Sequence, residues 1–420
     1  MHELGTDITT GNTVRLSADV RRRHIYLIGK SGVGKTNLLH NMMTTDLSAG
    51  GGFCLIDPHG DEAERLADTV PESRINDVIY LDPSDLSHSI AYNPLQSVEP
   101  DQRPLAAEHV LSAFAHVWGL AAKETSRLLH ILRNALRLLL DTPESTLLGL
   151  PKLLIQDQYR NRLLRRCDPS VRMFWEEEFS GYPDRLRADA ISAIQNKAGA
   201  FVSNPAIRNI IGQGRSTIHP SVVMDTGKVL ICNLSKGKLG EEPASLLGAL
   251  LTTGFAQAAE GRASIPEEKR RDFTLYIDEF QNFTTTSFAN ILSEARKYRL
   301  SLVMAHQFMS QVPEFLQDAV IGTANTTIAF RVGARDAPLL ASELGLDNPK
   351  ALKDLANFEA WVKTIENGQP GSPRLIKTLP PVATLGRLGA VRNRTHARYA
   401  RPRERERERI EQEITRFMGQ

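Results

Sequence analysis

Two places in this sequence gather residues that can do chemistry on a phosphate ester. The first is Gly29, Lys30, Ser31, Gly32, Val33, Gly34, Lys35 and Thr36, which satisfies GxxxxGK[ST] at every position. Glycines at these spacings let the backbone take positive φ and turn N–H groups onto phosphate oxygens at a helix N-terminus. Lys35 would bring a cation to the β- and γ-phosphates, and Thr36 a hydroxyl to Mg²⁺. The second is Asp278-Glu279, two acids closing the apolar run Phe273–Ile277. In a phosphate-loop enzyme Asp278 would hold the magnesium shell, while Glu279 would orient or deprotonate the attacking water. The expected cofactors are therefore ATP and Mg²⁺. A guanine-reading NKxD has its nearest approach at Asn196-Lys197-Ala198-Gly199, which lacks the aspartate.

Two more polar groups fall where a hydrolysis sensor and a catalytic cation belong. Gln307 follows the apolar run Leu302–Ala305, so its amide could face a γ-phosphate; taken alone it is equally an ordinary polar residue at a strand end. Arg296 lies in Glu294-Ala295-Arg296-Lys297-Tyr298-Arg299, a basic helix end whose plain reading is complementation of the helix dipole.

These residues need a sheet to bring them together, and the sequence contains one. Apolar runs at His24–Ile28, Gly52–Ile56, Val78–Leu81, Lys228–Leu234, Phe273–Ile277, Leu302–Ala305 and Thr326–Phe330 read as strands. Asp57-Pro58 and Asp82-Pro83 punctuate two of their ends. Helices are expected from Thr36, over Ala244–Glu260 and over Phe288–Tyr298. Strands alternating with helical crossovers predict a parallel α/β sheet. From Glu108 to about Ser216 the period changes to 3.6, clearest in Leu128, Leu129, Leu132, Ala135, Leu136 and Leu139, which predicts an all-helical insertion. The division expected is residues 1–100 and 221–380 for the core, 101–220 for the insert, and 381–420 for a basic tail. That tail ends in an Arg/Glu alternation over Arg403–Arg409 and an apolar stripe of Ile410, Ile414 and Phe417.

Composition narrows the class without naming a partner. With 420 residues, 41% hydrophobic content and a net charge of +2, a substantial core is expected, and nucleic acid is neither demanded nor excluded. Cys54, Cys167 and Cys232 are odd in number and widely spaced, against a disulfide framework or a zinc site. Met1–Thr10 has no apolar core for a signal peptide, and Leu246–Ala256 is too short to span a bilayer. A cytoplasmic protein is expected, with recruitment to the inner membrane through a partner as an option.

Assembled in order, the phosphate loop, Ile56-Asp57-Pro58-His59-Gly60-Asp61, Asn93-Pro94-Leu95, Asp278-Glu279-Phe280-Gln281-Asn282-Phe283, Arg296-Lys297 and Gln307 resemble the HerA/FtsK superfamily. Within it the soluble ATPase part of TraD/TraG-type conjugative coupling proteins is most similar, over roughly residues 5 to 380. The resemblance implies a RecA-like P-loop NTPase core with a mainly parallel sheet and an inserted all-helical domain. It further implies a ring of six, ATP sites between subunits and double-stranded DNA in the central channel. The phosphate-binding lysine maps to Lys35, the magnesium ligands to Thr36 and Asp278, the catalytic glutamate to Glu279 and the sensor to Gln307. The arginine finger maps to Arg296, with Arg299 in the same segment as the alternative and Arg331 after them. Conjugative coupling proteins usually carry N-terminal membrane helices, whereas this sequence starts almost at the ATPase core, so a soluble HerA-like role stays open. Two other readings also stay open: a motor for protein export in a type IV secretion or pilus machine, and an activator of a partner nuclease. A secretion or relaxase complex is then a further expected partner.

Overall fold

The computed structural model describes the chain except residues 86, 97, 121–124, 367, 403–407 and 409–420, and leaves the side chains of 200, 201 and 402 undescribed. The Arg/Glu alternation, save Glu408, and the stripe of Ile410, Ile414 and Phe417 thus lie outside the described residues.

Eleven strands form one sheet: β1 (His2–Asp7), β2 (Thr13–Leu16), β3 (Ile25–Ile28), β4 (Gly52–Asp57), β5 (Val78–Leu81), β6 (Val229–Asn233), β7 (Phe273–Ile277), β8 (Leu300–His306), β9 (Thr326–Ala329), β10 (Glu359–Lys363) and β11 (Arg374–Thr378). Their order is β2-β1-β11-β10-β9-β3-β8-β7-β4-β6-β5. From β9 to β5 every neighbouring pair is parallel. These are the seven runs that hydrophobicity predicts, and the architecture is a RecA-like P-loop NTPase core with an inserted helical part. The other four strands extend one edge in antiparallel pairing.

The parallel strands read as apolar runs because both of their faces are covered. Tyr26, Ile28, Cys54 and Ile56 point into one hydrophobic cluster, and Ile25, Leu27, Phe53 and Leu55 into the other. The first cluster continues into the helices between β5 and β6, where Leu132, Ala135, Leu136 and Leu139 of the helix Ser126–Leu140 are buried. That helical part therefore shares a core with one face of the sheet. The second cluster holds Leu38, Leu39, Met42 and Met43 of the helix Lys35–Ser48.

The basic segment beyond Pro380 begins as ordered structure. A helix over Leu388–Tyr399 lies along β5, where Tyr80 N–H donates to Thr395 Oγ1 at 3.0 Å and the Arg392 guanidinium sits 5.2 Å from the Tyr80 ring centre. Ala400–Pro402 then pairs with His88–Ile90. No helix among the described residues is long and apolar enough to cross a membrane.

Candidate active site

Parallel strands bring all their C-terminal ends to one side, and the chemistry-bearing residues collect there. β3 runs directly into the phosphate loop, and Gly34 at its close has φ 117, in the left-handed region that favours glycine. A Cβ on Gly34 would also stand 3.0 Å from the Phe358 ring, so the loop leaves no room for a side chain here. Lys35 opens the helix and is buried; its Nζ donates back to the carbonyls of Gly29 at 2.5 Å and Lys30 at 3.0 Å. Burial lowers its pKa, opposed by the carboxylates of Asp278 and Glu279. Thr36 is exposed at the first turn.

Two strands away, β7 ends in the acid pair. Asp278 is pushed up to about 7, first by burial, then by the neighbouring charges of Asp57 and Glu279, with Lys35 working against them. Asp57 closes β4 beside it, its two carboxylate oxygens accepting from His59 N at 2.8 Å and Ala63 N at 2.9 Å. Three acids and one ammonium on neighbouring strand ends are short of positive charge. A hard divalent cation supplies it, and the oxygen donors present suit one. The charge balance and oxygen donors therefore fit Mg²⁺, which Thr36 and Asp278 would hold.

Glu279 is the most constrained residue of the site. Its backbone is left-handed at φ 46, a conformation that costs a non-glycine residue on the order of 1–3 kcal/mol and needs support. Support comes from several sides. Gln281 Nε2 donates to Oε2 at 2.7 Å and Gln307 Nε2 to Oε1 at 2.9 Å, while Asn282 Nδ2 donates to the Glu279 carbonyl at 2.8 Å. Asn282 is held in turn: Lys236 Nζ donates to its Oδ1 at 2.7 Å, and His116 Nε2 of the helix Arg103–Val117 lies 3.0 Å from its carbonyl. Gly248 lets the helix Glu241–Glu260 press on this segment, since a Cβ there would meet the Phe283 ring at 2.2 Å.

The structure thus brings Lys35, Asp278, Glu279 and Gln307 together. Arg296 is not with them. It precedes β8 in the short 3-10 turn Ala295–Tyr298, exposed at the opposite end of the strand from Gln307. A seven-residue strand separates the two by roughly 20 Å, beyond the reach of any side chain. Arg299 is tied down at that far end, 3.1 Å from Glu267 and 3.6 Å from Asp272. Arg331 is on the loop's side of the sheet but donates to Leu355 O and Asn357 Oδ1, each at 3.0 Å. Sequence reasoning missed Lys236 and His116, whose only signal is proximity in space. Gln281 and Asn282 stand in the acid-pair motif, but the motif alone gives them no part.

Two family models match the chain: a type IV secretion-system coupling protein DNA-binding domain over residues 9–164, and the TraM recognition site of TraD and TraG over residues 272–347. Among solved structures, the plasmid coupling protein TrwB in complex with the non-hydrolysable GTP analogue GDPNP is similar with a TM-score of 0.67. It is 17% identical, covering 92% of this chain and 91% of that one. The unbound bacterial conjugative coupling protein TrwBdeltaN70 gives 0.65 at 16% identity, covering 92% and 90%. VirB4 of Thermoanaerobacter pseudethanolicus gives 0.57 at 15%, covering 90% and 96%. Among the curated proteins none matches. Two segments of the chain thus match coupling-protein family models, and the chain shares the fold of the solved TrwB coupling proteins.

Proposed function

We propose that this homologue of the TrwB/TraG-type coupling ATPases is a ring-forming ATP hydrolase that moves double-stranded DNA. The observation that carries the hydrolase is the bond from Gln307 to Glu279 beside Lys35: a base, a sensor and a phosphate cation on the ends of three neighbouring strands. Residues Gly29 to Thr36 would wrap the triphosphate, with Lys35 leaving the Gly29 and Lys30 carbonyls for the β/γ-phosphates. Thr36 and Asp278 would hold Mg²⁺, which supplies charge neutralisation of the phosphates when bound. Glu279, kept ready by the two glutamine amides, would take the proton of the attacking water, and Gln307 would exchange part of its bond to Glu279 for the γ-phosphate.

Arg296 lies about a strand length from its own site, so the finger role would be toward a neighbouring subunit, in a homo-hexamer whose sites lie between subunits. Two parts of the core, 1–100 and 221–380, would then flank the insert 101–220, with 381–420 as a basic appendage. Duplex DNA as the cargo is supported by the coupling-protein DNA-binding family model over residues 9–164. The TraM-recognition match over 272–347 supports docking to a secretion or relaxase complex, from the cytoplasm and at the inner membrane through that partner.

The test is ATP turnover by the purified oligomer with and without duplex. Stimulation by duplex, together with rings in electron micrographs, is the expected result. Hydrolysis that ignores duplex but responds to a secreted protein or to a nuclease would overturn the DNA reading in favour of export or partner activation.

A further inference from the structure

Three titratable side chains meet away from the phosphate loop, where the C-terminal segment returns to the sheet. Asp85 lies just past the end of β5, His88 opens the short strand His88–Ile90, and His396 is in the last turn of the helix Leu388–Tyr399. One donor atom of each lies within 4.8 Å of the other two. Asp85 Oδ2 is 3.0 Å from His396 Nε2 and 3.6 Å from His88 Nδ1. We propose that these residues are a binding site for a divalent transition-metal ion of the zinc class, which fastens the C-terminal segment to the core. The site is independent of the nucleotide reading above.

Spacing, orientation and access carry it. Zinc bonds to nitrogen and oxygen of about 2.0–2.2 Å set tetrahedral ligands about 3.3–3.6 Å apart, so the two distances from Asp85 need little change. The histidine rings are stacked, with 4.1 Å between centres and 17° between planes, and a tilt of one against the other turns both nitrogens onto one ion. Asp85 is oriented by the backbone: its Oδ1 accepts from Ser87 N at 2.8 Å and from His88 N at 3.3 Å, while Oδ2 faces the rings. The pairing of Ala400–Pro402 with His88–Ile90 fixes the two histidine-bearing segments against each other. Arg392, one turn before His396, sends its Nη2 to Glu64 at 3.3 Å and to Asp82 at 3.6 Å. All three side chains are part-exposed, so an ion can enter from solvent and keep water as its fourth ligand. Two imidazoles and one carboxylate suit zinc, whereas Mg²⁺ prefers oxygen alone. No local spacing announces the set, because its ligands come from distant parts of the chain.

The experiment is titration of Zn²⁺ into the full-length, untagged protein, stripped by chelator and held in excess Mg²⁺, for wild type, His88→Ala, His396→Ala and Asp85→Asn. Expected are one Zn²⁺ per chain in wild type and an affinity loss of at least about 10-fold in each variant, since substitutions even behind a metal ligand cost about that much. Zn²⁺ should also slow tryptic cleavage after Arg394 and Arg398 in wild type, and leave it unchanged in His88→Ala. His88 is the most exposed of the three and lies on the core side, so its result stands even if His396→Ala loosens the helix. Zinc binding that is absent in wild type, that excess Mg²⁺ abolishes, or that survives the substitutions overturns the site. Binding without protection of the C-terminal segment overturns the fastening.

Discussion

The two ends of the parallel strands treat buried charge in opposite ways. At the far end Asp46 is held by both Arg21 nitrogens, at 2.7 and 2.6 Å, by the Tyr276 hydroxyl at 2.6 Å and with His2 Nε2 at 2.9 Å. Although burial works against it, these partners bring its pKa down to about 2. At the near end Asp278 is as deeply buried and is driven the other way, to about 7, first by that burial and then by two neighbouring acids. One end spends its charges on closing the fold. The other keeps its charges unmatched, and an unmatched charge can bind something. Depth of burial therefore does not separate these two carboxylates; the sign of the charge around each does.

The sharpest way to break this contrast is to exchange readouts between the ends. Glu279→Gln should lower ATP turnover by about 10²–10⁴-fold while leaving nucleotide binding and melting temperature near wild type, because only the proton acceptor is lost. Arg21→Ala should do the reverse, costing about 3–5 kcal/mol of unfolding free energy because buried Asp46 loses the guanidinium that balances its charge. Turnover by the folded Arg21→Ala protein should stay close to wild type. Equal damage to activity from both substitutions would mean that the ends are not separate in their work.

A smaller effect lies in the pH dependence of stability. Asp278 binds its proton more tightly when folded, at about 7, than the ordinary 3.8 of the unfolded chain. Its contribution to stability is thus complete below about pH 4 and disappears as pH rises to about 7, so the nucleotide-free protein should lose stability over that window. Glu62 and Asp336 are also raised by burial and slope the same way, so the comparison with Asp278→Asn isolates the one group. Urea unfolding at several pH values should show the variant gaining on wild type by a few kcal/mol from pH 4 to 7. Asp46 has the opposite sign: its contribution stands above about pH 4 and is lost toward pH 2. Parallel curves for wild type and Asp278→Asn would remove the claim of uncompensated charge.

The smallest effect tests the support behind Glu279. Asn282→Ala deletes the bond to the Glu279 carbonyl and the anchor to Lys236, about one hydrogen bond's worth of positioning, and should lower kcat by roughly 10-fold with KM little changed. If KM alone moves, Asn282 acts on binding and not on the orientation of Glu279.

Much of this was readable beforehand, for physical reasons that also explain the gaps. The seven parallel strands stand out because burial on both faces demands unbroken apolar runs. β1, with Glu3, Gly5 and Thr6 inside it, and β10, which alternates Glu359, Ala360, Trp361, Val362 and Lys363, cover one face only and blend into ordinary polar sequence. The phosphate loop is contiguous and so visible; Gln307 was found because it follows a visible strand. Lys236, His116 and Phe358 have no such flag. Each reaches the site from a separate stretch of chain, and no local pattern records which strand end it will face.

β8 carries Gln307 at one tip and leads out of Arg296 at the other, with seven hydrogen-bonded residues buried between them. Within a ring of the proposed kind this strand would be a strut: one end would rest on the γ-phosphate of its own subunit and the other would brace the phosphate next door. A strut in a packed sheet resists shortening and bending, so a shift at one tip would be felt at the other. Turnover at one interface would then set the timing of the next by mechanical displacement along a single strand, with no change of fold in between.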